Sequence, residues 1–160
     1  MKRVAALAML LLVAACATRP PTYNRGWAIF DAEPSEGNAV KLVYGVPNSD
    51  DVDLFAVCDR DAKVFELAFF TADSSLSVAE GTRTELIVGP PSRLTSLMAS
   101  VQYSHTGEMM VVARASLPPA FVRDWAGKAV TLAGQGTAMT LHARPDKAMI
   151  GDFLKRCGGG

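Results

Sequence analysis

A chain of 160 residues, 49 % hydrophobic and 20 % charged, is long enough for one domain with an ordinary core. Sixteen Lys and Arg against sixteen Asp and Glu leave no net charge, which excludes a basic nucleic-acid binder. The apolar content excludes a disordered tail.

The chain starts with Lys2 and Arg3, followed by an uncharged run from Val4 to Ala17. That run is shorter than the ~20 apolar residues of a spanning helix. A basic start, an apolar middle and a small-residue end make the layout of a secretory signal. The end is Val13-Ala14-Ala15-Cys16: an aliphatic residue, two small residues and a cysteine. It resembles the lipobox of bacterial lipoproteins. The resemblance implies a signal peptide over residues 1–15, cleaved before Cys16, with diacylglycerol on the Cys16 thiol and an acyl chain on the new amine. Each buried methylene contributes ~0.8 kcal/mol, so three chains give durable membrane attachment. In that family an aspartate after the cysteine retains the protein in the inner membrane. Here Ala17 follows, which implies the periplasmic face of the outer membrane. Loss of Lys2 and Arg3 takes the sixteen basic residues to fourteen, a mature net charge of about −2 with no basic face large enough to suggest anionic partners.

Residues 16–25, with Pro20 and Pro21, lack apolar periodicity and are expected to form a stiff tether. At ~3.3–3.6 Å per residue it reaches roughly 30 Å. Residues 26–160 are expected to form a single periplasmic domain.

Strand patterns follow one another. "WAIFD" comes first, then "NAVKLVYGVP", with Val40, Leu42, Tyr44 and Val46 in phase. "DVDLFAVCD" puts Val52, Leu54, Ala56 and Cys58 on one face. "AKVFELAFF" aligns Phe65, Leu67 and Phe69. "TRTELIVG", "RLTSLMASVQY", "EMMVVARAS", "KAVTLAG" and "GTAMTLHA" complete the series. Turn formers separate them, including 47–50, 89–91, 104–107 and 134–136. "SLPPAFVRDWAG" reads as a short helix with Ser116 as cap and Gly127 as stop. "RPDKAMIGDFLKRCGGG" reads as a longer one. There Asp146 suits the helix dipole, and Met149, Ile150, Phe153, Leu154 and Cys157 form an apolar stripe. The fold class expected is mainly β: an antiparallel sandwich or barrel of about seven to nine strands, with a short helix and a C-terminal helix packed on the sheet.

With Cys16 used for lipid, Cys58 and Cys157 remain as an even pair in an oxidising compartment. Each is in phase with an apolar face. A Cys58–Cys157 disulfide is expected, stapling the last helix to an early strand.

Chemistry is harder to find. His105 sits in a "SHTG" turn, and His142 points away from the apolar face of its strand. No G-x-S-x-G or S-x-x-K occurs, and neither histidine has a local nucleophile partner. Asp50, Asp51 and Asp53, with Asp59 and Asp61, form the most pointed polar group, but the order of a calcium loop is absent. Asn48, Ser49 and Asp50 fit a turn that caps its own backbone. "AGQGTA" joins two strands and reads as a hairpin. Arg93, Arg114 and Arg123 are scattered. No catalytic residue, cofactor or metal site is therefore assigned.

The expectation is a membrane-anchored, non-enzymatic lipoprotein with a binding or structural role in the envelope. Its partners would be the membrane, through the N-terminal lipid, and an envelope protein or cell-wall component, not nucleic acid. The loops 47–53, 104–107 and 134–136 are the candidate surfaces. Size, anchor and cysteine pair also resemble the small periplasmic lysozyme inhibitors, though the S-G-x-x-Y motif of that family is missing. The remaining alternative is a metal-assisted hydrolase using the Asp50–Asp53 loop.

Overall fold

The computed structural model describes residues 24–33, 35, 37–71 and 78–158. Cys16, the signal segment and most of the tether lie outside the described residues. Nine antiparallel strands make one curled sheet, a half-barrel: β1 (Gly26–Asp31), β2 (Ala39–Gly45), β3 (Val52–Asp59), β4 (Val64–Phe70), β5 (Arg83–Gly89), β6 (Thr95–Tyr103), β7 (Met109–Ser116), β8 (Val130–Gly134) and β9 (Thr137–Leu141). The strand order is β1-β2-β3-β4-β7-β6-β5-β8-β9. A 3-10 helix (Ala120–Trp125) and the α-helix α1 (Lys147–Arg156) complete the fold. Of the two expected architectures, the chain takes the single curled sheet rather than two stacked ones.

Alternation explains the curl. Val40, Leu42 and Tyr44 of β2, Leu54, Ala56 and Cys58 of β3, and Phe65, Leu67 and Phe69 of β4 are buried on the concave face. Val111 and Ala113 of β7, Leu86 and Val88 of β5, and Val130 and Leu132 of β8 continue the same face around the sheet. A half-barrel leaves its hollow open, and the two helices fill it. Val122 and Trp125 come from the 3-10 helix; Ile150, Phe153 and Leu154 come from α1, and Cys157 from its C-cap. Full burial of each large apolar side chain contributes ~1.5–3 kcal/mol. Trp125 anchors an aromatic group, its ring centroid 6.0 Å from those of both Trp27 and Phe121.

The outer strands β1 and β9 are not paired with each other, and the C-terminal segment spans the gap between them. Trp27 Nε1 donates to the Ala143 carbonyl at 2.6 Å, and Arg156 of α1 ion-pairs with Asp31 at the end of β1. The Gly127 amide donates to the Pro145 carbonyl at 2.7 Å, joining the 3-10 helix to the start of α1. Asp146 caps α1 by accepting from the Met149 amide at 2.6 Å. The sulfurs of Cys58 and Cys157 lie at disulfide distance, with Cα atoms 5.5 Å apart and a sequence separation of 99.

Two local expectations fail. Ser116 is not a helix cap: it pairs with Val64 as the last residue of β7, and the 3-10 helix begins after Pro119 without a side-chain cap. A continuing strand partner outweighs a capping preference here. Val52 is not in the concave row. The β2–β3 register shifts between Tyr44 and Gly45, and Val52 lines a groove on the convex side instead. Only glycine fits at the crossover, because a Cβ on Gly45 would stand 2.4 Å from the Asp51 carbonyl oxygen.

Candidate functional site: a groove on the convex face

An antiparallel sheet packed on one face normally turns polar residues to water on the other. The convex face of β2, β3 and β4 departs from this. Val43, Val52, Phe55, Val57 and Phe70 line an open groove of about 640 Å³ there. Cross-strand pairing builds it: Val43 faces Phe55 and Lys41 faces Val57 across β2–β3, while Phe55 faces Ala68 and Val57 faces Glu66 across β3–β4. The Phe55 and Phe70 rings meet edge to face, with centroids 6.0 Å apart. Their free faces remain half-exposed.

The groove wall is polar. Ser49 and Asp50 enter from the β2–β3 loop, His105 from the β6–β7 turn, and Lys41, Asp59 and Glu66 from the strands. Antiparallel topology explains the meeting. The loop after β2 and the turn before β7 lie on the same rim, as does the 134–136 hairpin. Two of the three candidate loops thus reach one groove, and the third stands farther along the same rim.

The aspartates divide their roles. Arg25 reaches across the rim and donates through one guanidinium nitrogen to Asp53 at 2.6 Å, and through another to both oxygens of Asp51 at 2.9 and 3.0 Å. The last residue of the expected tether is therefore held against the domain. Burial pushes the Asp53 carboxyl up from its ordinary value; Arg25 opposes that rise and Asp51 adds to it. The Arg25 guanidinium is raised from its ordinary value: its two carboxylate partners outweigh desolvation, the largest single influence. Ser49 Oγ accepts from the Asp51 amide at 3.0 Å, as expected of a self-capping turn, and Asn48 takes a left-handed φ of 58°. Asp59 caps the next turn, accepting from the amides of Asp61 and Ala62 at 3.0 and 2.8 Å. Glu66 accepts from Arg114 Nε at 2.9 Å.

Of the pointed acidic group, only Asp50 is left with its carboxylate free of partners among the described residues. No hydrogen bond or ion pair links it to His105 there, and no group of three or more His, Cys, Asp or Glu is arranged to hold a metal. His142 is exposed just beyond the end of β9, with no side-chain hydrogen bond to a hydroxyl or thiol among the described residues. The arrangement is suited to contact: apolar rings in a shallow trough, with a hydrogen-bonding wall on one side. Sequence reasoning named the loops but missed the trough. Phe55, Val57 and Phe70 lie off-phase from the core rows, and that off-phase clustering of large apolar residues was the available signal.

A second groove, between the 3-10 helix and α1, has Arg123, Lys128, Lys147, Lys155 and one carboxylate, Asp124, among its lining residues. Arg93, by contrast, is spent on Asp124 at 3.2 Å and Arg114 on Glu66. A basic face was not expected from the sequence. It exists because the fold gathers cations from separate segments.

No known protein family, curated protein or solved structure matches the chain.

Proposed function

We propose that this chain is a non-enzymatic, lipid-anchored binding protein of the bacterial envelope, held by Cys16 at the periplasmic face of the outer membrane. In this reading its convex groove takes up part of another envelope macromolecule. The observation that carries the binding role is the trough of Val43, Val52, Phe55, Val57 and Phe70 on a sheet face over which no helix packs among the described residues. The lipobox-like Val13-Ala14-Ala15-Cys16 carries the anchor. Arg25, fixed on Asp51 and Asp53, sets where the tether leaves the domain, and that point lies on the rim beside the trough.

The hydrolase alternative draws less support. Arg25 neutralises Asp51 and Asp53, two of the three carboxylates that the metal would need. A bonded Cys58–Cys157 pair belongs to the same reading, since an oxidising periplasm would close sulfurs placed at that distance.

The test has two parts. Cys16→Ser is expected to abolish acyl labelling and release the protein from the membrane fraction; a Cys16→Ser protein that keeps acyl label contradicts the anchor. Phe55→Ser with Phe70→Ser is expected to abolish recovery of the partner crosslinked to the wild-type protein in whole cells. Unchanged recovery from a folded double variant contradicts the binding role of the trough.

A further inference from the structure

The lining of the groove between the 3-10 helix and α1 carries four cations, Arg123, Lys128, Lys147 and Lys155, against one carboxylate, Asp124. Every acidic side chain on these two elements and the N-cap is already engaged. Asp124 is paired with Arg93, Asp152 with Arg156, and Asp146 caps the helix. Arg123, Lys128, Lys147 and Lys155 are all exposed, and none has an ion pair or side-chain hydrogen bond among the described residues. Arg123 and Lys128 stand on one bank, Lys147 and Lys155 on the other. Uncompensated like charges repel, and the fold tolerates them here without internal relief.

The space between the banks is open for a specific reason. Lys147, Gly151 and Lys155 fall at i, i+4 and i+8, so they share one face of α1. A Cβ on Gly151 would meet nothing within 4 Å. Glycine in the middle of a ten-residue helix is unfavourable, and no close approach requires it. Its effect is to keep the groove, of about 640 Å³, clear above the floor of Ala126, Ile150 and Leu154. The start of α1 is also tied to the tether's exit, because the Trp27 indole holds the Ala143 carbonyl four residues before Lys147.

We infer that this groove seats the anionic headgroup of a membrane phospholipid. The inference rests on the anchored reading above: a domain held within roughly 30 Å of a bilayer presents an uncompensated basic groove to it continuously. Each cation brought to an anionic surface strengthens binding about fivefold. The anchor would thus set distance and the groove would set orientation.

The test uses the mature chain, residues 16–160, carrying Cys16→Ser, so that neither acylation nor the basic, apolar signal segment contributes, and vesicles of phosphatidylcholine with or without phosphatidylglycerol. Four cations at about fivefold each give binding on the order of several hundredfold tighter to the phosphatidylglycerol vesicles at low salt, declining as salt screens the charges. Lys147→Glu with Lys155→Glu is expected to erase that preference. Gly151→Leu is expected to weaken it severalfold while leaving melting unchanged or higher, since leucine is the better helix former. Equal binding to both vesicles overturns the inference, as does a preference that survives the double charge reversal in a folded protein. A preference untouched by Gly151→Leu overturns the groove as the seat. Inorganic phosphate that raises the melting temperature of a chain indifferent to vesicles overturns the lipid in favour of a free anion. Acyl labelling of the unsubstituted chain reads the anchor separately, so failure of one does not pass for failure of the other.

Discussion

The two faces of the β2–β4 segment carry comparable apolar material and use it differently. On the concave side, Leu42, Leu54, Leu67 and Phe65 are fully buried beneath α1 and the 3-10 helix. On the convex side, Val43, Phe55, Val57 and Phe70 are half-exposed, with no helix over them among the described residues. The same alternation writes both rows, so periodicity alone does not separate core from contact surface. What separates them is whether another element of the chain is available to cover the row. The 3-10 helix Ala120–Trp125 and α1 both pack on the hollow side, where the curl of the sheet directs them.

Substitutions that treat the two faces unequally test this contrast. The largest effect is expected at the cysteine pair. A bond closing a loop of 99 residues is worth about 4.7 kcal/mol at the upper end of the chain-entropy account. Reduction, or Cys58→Ala, should lower the melting temperature strongly, with α1 freed from β3. Thiol labelling under denaturing, non-reducing conditions should find no free Cys58 or Cys157 in periplasmic protein; two free thiols contradict the bond.

Next comes Phe153→Ala, which removes a fully buried ring from the filling of the hollow. A loss of about 3–5 kcal/mol in denaturant unfolding is expected. Its convex counterpart, Phe55→Ala, gives up a half-exposed ring and one edge-to-face contact, for a loss of about 1–2 kcal/mol. Equal losses at the two phenylalanines would erase the distinction between the faces.

The smallest effect is at the rim. Arg25→Ala removes two partly exposed ion pairs, to Asp51 and Asp53, together worth about 1 kcal/mol. Its pH dependence has a definite sign. Burial raises the Asp53 carboxyl above its unfolded value, so ionised Asp53 costs stability and protonation relieves it. Without Arg25 that cost grows. The difference between Arg25→Ala and wild type should therefore be full near neutral pH and shrink as pH falls through the Asp53 range. A difference that widens on acidification would contradict the assignment.

Strand positions were legible because each has period two and most are bounded by glycine, proline or asparagine turns; between β3 and β4 the turn is marked by Asp59 and Asp61 instead. The passage from β7 to the 3-10 helix was half legible: proline and Gly127 marked the helix, but Ser116 served the strand. The single sheet was not legible, because β4 pairs with β7 and β5 with β8 across long stretches of chain. Nothing local encodes those pairings. Val52 misled for a local reason, the shift at Gly45. Of the sites, the loops could be named from their turn residues, and the Cys58–Cys157 pairing followed from two phases and a compartment. The basic groove could not, since Arg123, Lys128, Lys147 and Lys155 come together only when α1 packs beside the 3-10 helix.

The most direct test of the central claim, that the uncovered convex row is the contact surface, is a photo-reactive phenylalanine analogue at Phe55 in intact cells. A control analogue belongs at Thr140, on the exposed side of β9. The account predicts a discrete crosslinked adduct from Phe55 and none from Thr140. Adducts of equal yield from both positions, or none from Phe55 in a protein that is folded and located normally, would contradict it.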